Sequence, residues 1–286
     1  MPDFHLPPEA LRTCFPQFLR IDPFPKSGQK LVYRAEHKDG TAFALKIIIQ
    51  DQGTQDQRAI REIEAAASLR SPCFANILEA KCCQILETDC IFIIEEFIDG
   101  QSLASVLKKQ VPQSLSFIRD VGSALLNGLT KVEEAKLVHR DIKPGNIMIG
   151  EDGRIVIIDF GIVRNLGKES ITSSCALQGP MTPGYGAPEQ IRNCKRQISI
   201  RTDLFAVGVV LYEMAVGRNP FYEVGNYSRE LVNERCLNLD PPPLSTFGCP
   251  QGLSDFVEKC MYKPCHRRLP TASKALESFT AINWEV

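Results

Sequence analysis

Three polar side chains crowd one short stretch: Asp141, Lys143 and Asn146, inside Val138-His139-Arg140-Asp141-Ile142-Lys143-Pro144-Gly145-Asn146. Thirteen residues after Asn146 comes a second acid, Asp159, followed by Phe160 and Gly161. A carboxylate, an ammonium and an amide on one polar loop, with a further carboxylate nearby, can hold a metal ion, a phosphate and a hydroxyl together. Asp and Asn offer hard oxygen donors, which suit Mg2+ better than zinc. The chemistry that matches is phosphoryl transfer. It asks a protein to clamp phosphates, neutralise their charge and aim an acceptor hydroxyl, with little covalent chemistry of its own.

The elements around these residues must bring them together. Ile147-Met148-Ile149 and Arg154–Ile158 are short apolar runs rich in β-branched residues, and Gly150-Glu151-Asp152-Gly153 between them is a turn-former. The pattern predicts a β-hairpin. Asn146 precedes its first strand and Asp159 follows its second, so antiparallel pairing places both at one open end, within reach of one cation. Taken alone, a plain surface hairpin with polar flanks accounts for this pattern equally well.

Composition narrows the class. At 286 residues, 44% hydrophobic and 23% charged, the chain is an ordinary globular protein with room for a buried core and one or two lobes. A formal net charge of -1 gives no reason to expect nucleic acid or an anionic membrane as partner. No stretch approaches the roughly 20 apolar residues a membrane span needs. The N-terminus lacks the basic and apolar regions of a signal peptide. The 11 cysteines are odd in number, and none forms a CxxC pair. Free thiols in a reducing compartment, the cytoplasm, are expected rather than a disulfide scaffold or zinc site.

Along the chain, residues 1–18 read as a Pro-rich extension with a short helix at Pro8–Cys14. Residues 19–96 are strand-like, interrupted by one helix over Gln57–Leu69; Phe43–Ile49 and Cys90–Ile94 are the strongest strands, and the pattern breaks at Glu95. From 97 to 286 the chain is mostly helical. Ile118, Val121, Leu125, Leu129 and Val132 form one stripe of a helix over Ser116–Ala135. Arg201–Val216 is apolar nearly all round, which predicts a helix buried on every side, and Gly252–Cys260 and Thr271–Thr280 are further helices. Two lobes of this kind create a cleft, the usual place for a ligand.

In order and spacing, H-R-D-x-K-x-x-N at 139–146 and Asp159-Phe160-Gly161 resemble the catalytic and metal-binding loops of the eukaryotic-type (Hanks-type) serine/threonine protein kinases. Phe43-Ala44-Leu45-Lys46 is similar to that family's V-A-I-K strand, and Thr182-Pro183-Gly184-Tyr185-Gly186-Ala187-Pro188-Glu189 to its T-P-x-Y-x-A-P-E segment. The likeness covers roughly residues 25–275, within one domain of about 19–280. It implies an α+β, bilobal fold: a small β-rich N-lobe with one key helix and a larger, mainly helical C-lobe. It implies ATP and Mg2+ as cofactors, a protein substrate phosphorylated on Ser or Thr, and self-association for trans-autophosphorylation.

Residue by residue, the resemblance makes Asp141 the catalytic base or hydroxyl-orienting group. Lys143 neutralises the γ-phosphate, and Lys46 holds the α- and β-phosphates. Ala44 lines the adenine pocket, with Glu96 and Ile98 in the hinge and Glu95 at the gatekeeper position before it. Glu62 is the expected partner of Lys46, with Glu64 its rival. Asn146 and Asp159 are the metal ligands. His139 is structural, Arg140 receives an activation-loop phosphate, and Thr182 bonds near Asp141. Asp203 braces the catalytic loop, and Glu189 pairs with Arg267 or Arg268. Ser170, Thr172, Ser173 and Ser174 are candidate phosphorylation sites, and Cys175 is a candidate redox group.

One motif departs from the family. Where a glycine-rich loop is expected, its three positions hold Pro25, Ser27 and Lys30; Gly28 remains beside them, and Lys30 offers a charge in place of backbone contacts. This departure supports one alternative, a pseudokinase acting as a binding module. A small-molecule kinase is a third reading, opposed by the A-P-E segment and by Lys143.

Overall fold

The computed structural model describes residues 6–24, 30–50, 57–69, 71–160, 181–223, 225 and 227–285; of Gln57, Arg58, Ala59 and Glu62 it describes the backbone alone. The chain divides into two compact units. One holds the described residues up to Leu69 together with Ala75–Ile98. The other holds Ser71–Phe74 and the described residues from Asp99 onward.

The first unit is an antiparallel sheet of five strands: β1 (Phe18–Pro23), β2 (Lys30–His37), β3 (Ala42–Ile49), β4 (Ile77–Ile85) and β5 (Thr88–Glu96), in the order β1-β2-β3-β5-β4. Isoleucine and phenylalanine dominate β3 and β5, as a doubly covered strand favours. One face carries Leu31, Tyr33, Leu45, Ile47, Phe92 and Ile94, and the N-terminal segment covers it. Leu6, Leu11, Phe15, Phe18 and Ile21 are buried in that same core. The short helix α1 (Pro8–Cys14) starts on a proline, whose fixed φ suits the first helical turn. After it, Phe15 packs edge-on against Phe92, with ring centroids 5.0 Å apart. The extension keeps its expected helix and also supplies four of the fourteen buried residues of this core, Leu6, Leu11, Phe15 and Phe18.

The opposite face carries Val32, Ala44, Lys46, Ile93 and Glu95, since the register sets Val32 and Ile93 across from Lys46 and Glu95 across from Ala44. Helix α2 (Gln57–Ala67) packs against β4. The sequence suggested that the strand pattern breaks at Glu95, yet β5 continues through Glu96. A carboxylate is tolerated in the sheet because Lys46 satisfies it.

The second unit opens with β6 (Gly100–Ser102) and α3 (Leu103–Leu107), followed by α4 (Leu115–Glu134). Ser114 caps α4 by accepting from Phe117 N at 3.3 Å, and the predicted stripe is fully buried. The hairpin β7 (Ile147–Gly150) and β8 (Ile155–Ile157) joins β6 in a three-stranded sheet. Then come α5 (Pro188–Ile191), α6 (Ile200–Val216), α7 (Arg229–Asn238), α8 (Gln251–Met261) and α9 (Ala272–Thr280). Helix α6 is buried along nearly its whole length and packs on α4, α8 and α9. Gly208 lets α8 come close: a Cβ there would stand 2.8 Å from Cys260 Cβ.

A β-rich unit with one long helix and a mainly helical unit make up the α+β fold that the resemblance implies. Among the described residues no helix is long and apolar enough to cross a membrane, no group of three His, Cys, Asp or Glu side chains is arranged for a metal, and every cysteine is a free thiol.

Candidate active site

The hairpin of the second unit sets two of the chosen residues side by side in the chain trace. Ile147 pairs with Ile157, and Ile158 N donates to Asn146 O at 2.9 Å, so the ladder runs one step past the strand ends. Asp159 follows directly. Its φ of +63° lies in the left-handed region, which non-glycine residues adopt only when their surroundings hold them there. Phe160 packs with tilted rings against His139, centroids 4.7 Å apart, and against Phe74 at 5.2 Å. His139 is wholly buried, and its Nδ1 accepts from Asp141 N at 3.3 Å, which fits the structural role expected of it.

The loop before the hairpin is held from below. Both carboxylate oxygens of Asp203, at the start of α6, accept backbone N–H groups, from His139 and from Arg140, each at 2.7 Å. Gln190 Nε2 donates to Arg140 O at 3.0 Å. Arg140, with φ of +67°, is the strained residue this clamp secures. Its Nε is buried and has no hydrogen-bond partner among the described residues, a donor ready for an anion.

Asp141 is where these supports converge. Its Oδ2 accepts from Lys143 Nζ and from Asn146 Nδ2, each at 3.0 Å, and its Oδ1 accepts from Thr182 Oγ1 at 2.9 Å. Lys143 Nζ also reaches Thr182 Oγ1 at 3.3 Å. Asn146 Nδ2 makes a second bond, to Asp141 O at 2.9 Å. With its amide nitrogen committed twice, Asn146 keeps an oxygen, Oδ1, as its remaining polar atom. That oxygen and the Asp159 carboxylate are a donor set suited to Mg2+.

Behind Thr182 the chain is fixed by buried polar pairs. Glu189 receives two bonds from Arg268, at 2.7 and 2.9 Å, and one from Thr202 Oγ1 at 2.9 Å. Arg268, not Arg267, is therefore the partner the sequence left open. Tyr185 OH donates to Glu213 at 2.6 Å; burial pushes the tyrosine well above its ordinary value and raises the glutamate too. Reading motifs missed Gln190, Thr202 and the Tyr185–Glu213 pair. Gln190 carried a weak signal, standing directly after Glu189.

In the first unit, Lys46 and Glu95 are both buried and form an ion pair, Nζ to Oε1. Ala44 and Lys30 lie on the same sheet face. Glu96 accepts from Asn76 Nδ2 at 2.9 Å and from Asn76 N at 3.2 Å, and Ile98 is buried. Glu62 lies in α2, but its side chain is outside the described residues, as are Gly28 and the candidate phosphorylation sites between residues 161 and 180.

Comparison with known proteins adds to this geometry. The family model described as protein kinase domain matches residues 27–279. A probable serine/threonine-protein kinase of Clostridium perfringens is 26% identical over 263 residues, covering 90% of this chain and 37% of that protein. The probable serine/threonine-protein kinase PknB of Bifidobacterium longum is 32% identical over 245 residues, covering 82% and 35%. The serine/threonine-protein kinase PknL of Mycobacterium tuberculosis is 35% identical over 168 residues, covering 58% and 40%. The chain spans less than half the length of each of these relatives. Among solved structures, the Mycobacterium tuberculosis PknI kinase domain superposes with a TM-score of 0.67 at 20% identity, over 92% of this chain and 96% of that one, a likeness of fold.

Proposed function

The chain belongs to the protein kinase family, and from that premise we propose that it transfers the terminal phosphoryl group of MgATP to serine and threonine hydroxyls of proteins. The observation that carries the reading is the Asp141 carboxylate, oriented at once by Lys143, Asn146 and Thr182.

The roles follow from what each group can do. Asp141 accepts the hydrogen of the substrate hydroxyl and aims its oxygen at the terminal phosphorus. As the new O–P bond forms, the bond to the departing nucleoside diphosphate breaks, and the hydroxyl proton passes to Asp141. Lys143 sets an ammonium beside the carboxylate, where it offsets the charge of the moving phosphoryl group. Lys46 offers its ammonium to the α- and β-phosphates, and Ala44, Glu96 and Ile98 border the nucleotide base. Asn146 Oδ1 and Asp159 would hold Mg2+, which supplies charge to balance the phosphates. The choice of alcohol rests on Lys143 and Thr182 beside the carboxylate, and the relatives above are named as serine/threonine kinases. Phosphorylation of one copy by another, in the cytoplasm, completes the reading.

The full chain incubated with MgATP and a generic protein substrate should transfer phosphate. Asp141→Asn should lose about 10²- to 10⁴-fold in rate, the usual contribution of a positioned proton acceptor. Binding of MgATP with no transfer above the Asp141→Asn control would make the chain a nucleotide-binding module instead.

A further inference from the structure

A lysine within a sheet is costly to bury unless its charge is met. Lys46 is only 3% exposed and Glu95 only 6%. The β3–β5 ladder sets Ala44 opposite Glu95 and Lys46 opposite Ile93, which makes Glu95 the diagonal neighbour of Lys46 on the same face. Such neighbours are within reach of long side chains, and here the two meet in an ion pair. Val32 of β2 lies across from Lys46, and Ile77 of β4 across from Glu95. Apolar side chains therefore flank the two charges on both outer sides.

From this geometry we infer that Glu95 is a positioning residue for Lys46, a sheet-borne carboxylate that holds the phosphate-binding ammonium in place. The inference rests on the proposed nucleotide role of Lys46. Its mechanical content is specific. Lys46 and Glu95 sit on hydrogen-bonded neighbouring strands, so the ladder itself sets their geometry. Glu95 acts through Lys46 and touches no reacting atom. Removing its charge leaves the ammonium without this counter-charge and loosens its hold on the phosphate-binding position.

The test uses the full chain with MgATP and a generic protein substrate, reading kcat, KM for ATP, equilibrium Kd for MgATP and Tm. Glu95→Gln should raise the KM for ATP about tenfold or more, the worth of a charge-assisted hydrogen bond, and leave the KM for the protein substrate within about twofold. Glu95→Asp, which keeps the charge on a shorter stem, should recover part of the loss; it also carries the test if Glu95→Gln does not fold. In a Lys46→Met background, Glu95→Gln should change the MgATP Kd less than about twofold, because the group it positions is gone. A purely structural role would give the same loss with or without Lys46. The inference is overturned if Glu95→Gln keeps the wild-type KM for ATP or tightens MgATP, or if its effect persists undiminished without Lys46. A wild-type chain that binds MgATP but transfers no phosphate defeats the proposed function instead, and the Kd measurements then decide the role of Glu95.

Discussion

Asp203 is wholly buried, and burial lifts its carboxyl from 3.8 to about 7, against the pull of the Arg140 and His139 N–H bonds and the Arg140 charge. Across neutral pH, then, the group that clamps the catalytic loop gains or loses its charge. Acidification below about 7 protonates it and weakens its two bonds to the loop, so phosphotransfer should fall on the acid side of 7. Asp203→Asn should be less active and show a flatter profile. The stability effect has the opposite sign. Between about pH 4 and 7 the folded chain holds a proton that the unfolded chain has released, so this group's contribution to stability declines as pH rises through that window. Urea unfolding and phosphotransfer, each followed from pH 5 to 8, separate the two. Activity that stays level from pH 6 to 8 would contradict the clamp. At this scale the sequence disclosed residue types and spacings, enough to select Asp141, Lys143, Asn146 and Asp159. It did not disclose the Lys46–Glu95 pair, because Glu95 meets Lys46 only through the β3–β5 register, some fifty residues away in the chain. Nor could it decide between Arg267 and Arg268, adjacent residues of one type of which only Arg268 is buried against Glu189.

Two ion pairs, one between distant segments and one within α9, show how position decides the worth of a like-looking bond. Arg268–Glu189 and Lys274–Glu277 both close at 2.7 Å, but the first pair is 0% and 1% exposed and the second 63% and 69%. Arg268→Leu should cost about 3–5 kcal/mol, since it strands a buried carboxylate. Lys274→Ala should cost less than about 1 kcal/mol, since water already screens that pair. Chemical unfolding measures both, and equal losses would show that Glu189 reaches water. Gly208 makes a second case. In an isolated helix, alanine there would gain about 1 kcal/mol over glycine. Here its methyl would crowd Cys260 Cβ and Met261 Cγ, each 2.8 Å away, and overpacking of that kind costs about 1–3 kcal/mol. Gly208→Ala should therefore lower stability by up to about 2 kcal/mol, and a gain in urea midpoint would refute the close α6–α8 packing. Helices with a clear apolar stripe, such as α4, were legible in advance. Helix α7 was not: of its ten residues only Val232, Asn233 and Cys236 are buried, too few for a stripe. Its one local signal is Ser228, which caps it by accepting from Leu231 N at 3.2 Å.

For the molecule as a whole, the order of motifs carried more than any pattern of periodicity. It anticipated a β-rich unit followed by a helical one, while composition excluded little beyond a membrane span and a disulfide scaffold. The N-terminal segment was the least legible large feature. Its short helix was legible and its prolines otherwise read as irregular chain, yet Leu6, Leu11, Phe15 and Phe18 help complete the core behind the sheet, a tertiary pairing that no local pattern encodes. The residues proposed to act in phosphotransfer fall in two units, with Lys46 in one and Asp141, Lys143, Asn146 and Asp159 in the other. The most direct measurement incubates the full chain with MgATP, alone and with a generic protein, and maps phosphate by mass spectrometry beside Asp141→Asn and Asp159→Asn. Phosphoserine and phosphothreonine that accumulate in the wild type and fall at least about a hundredfold in both variants are the predicted result; phosphate absent from the wild type, or equally abundant in the variants, would contradict it.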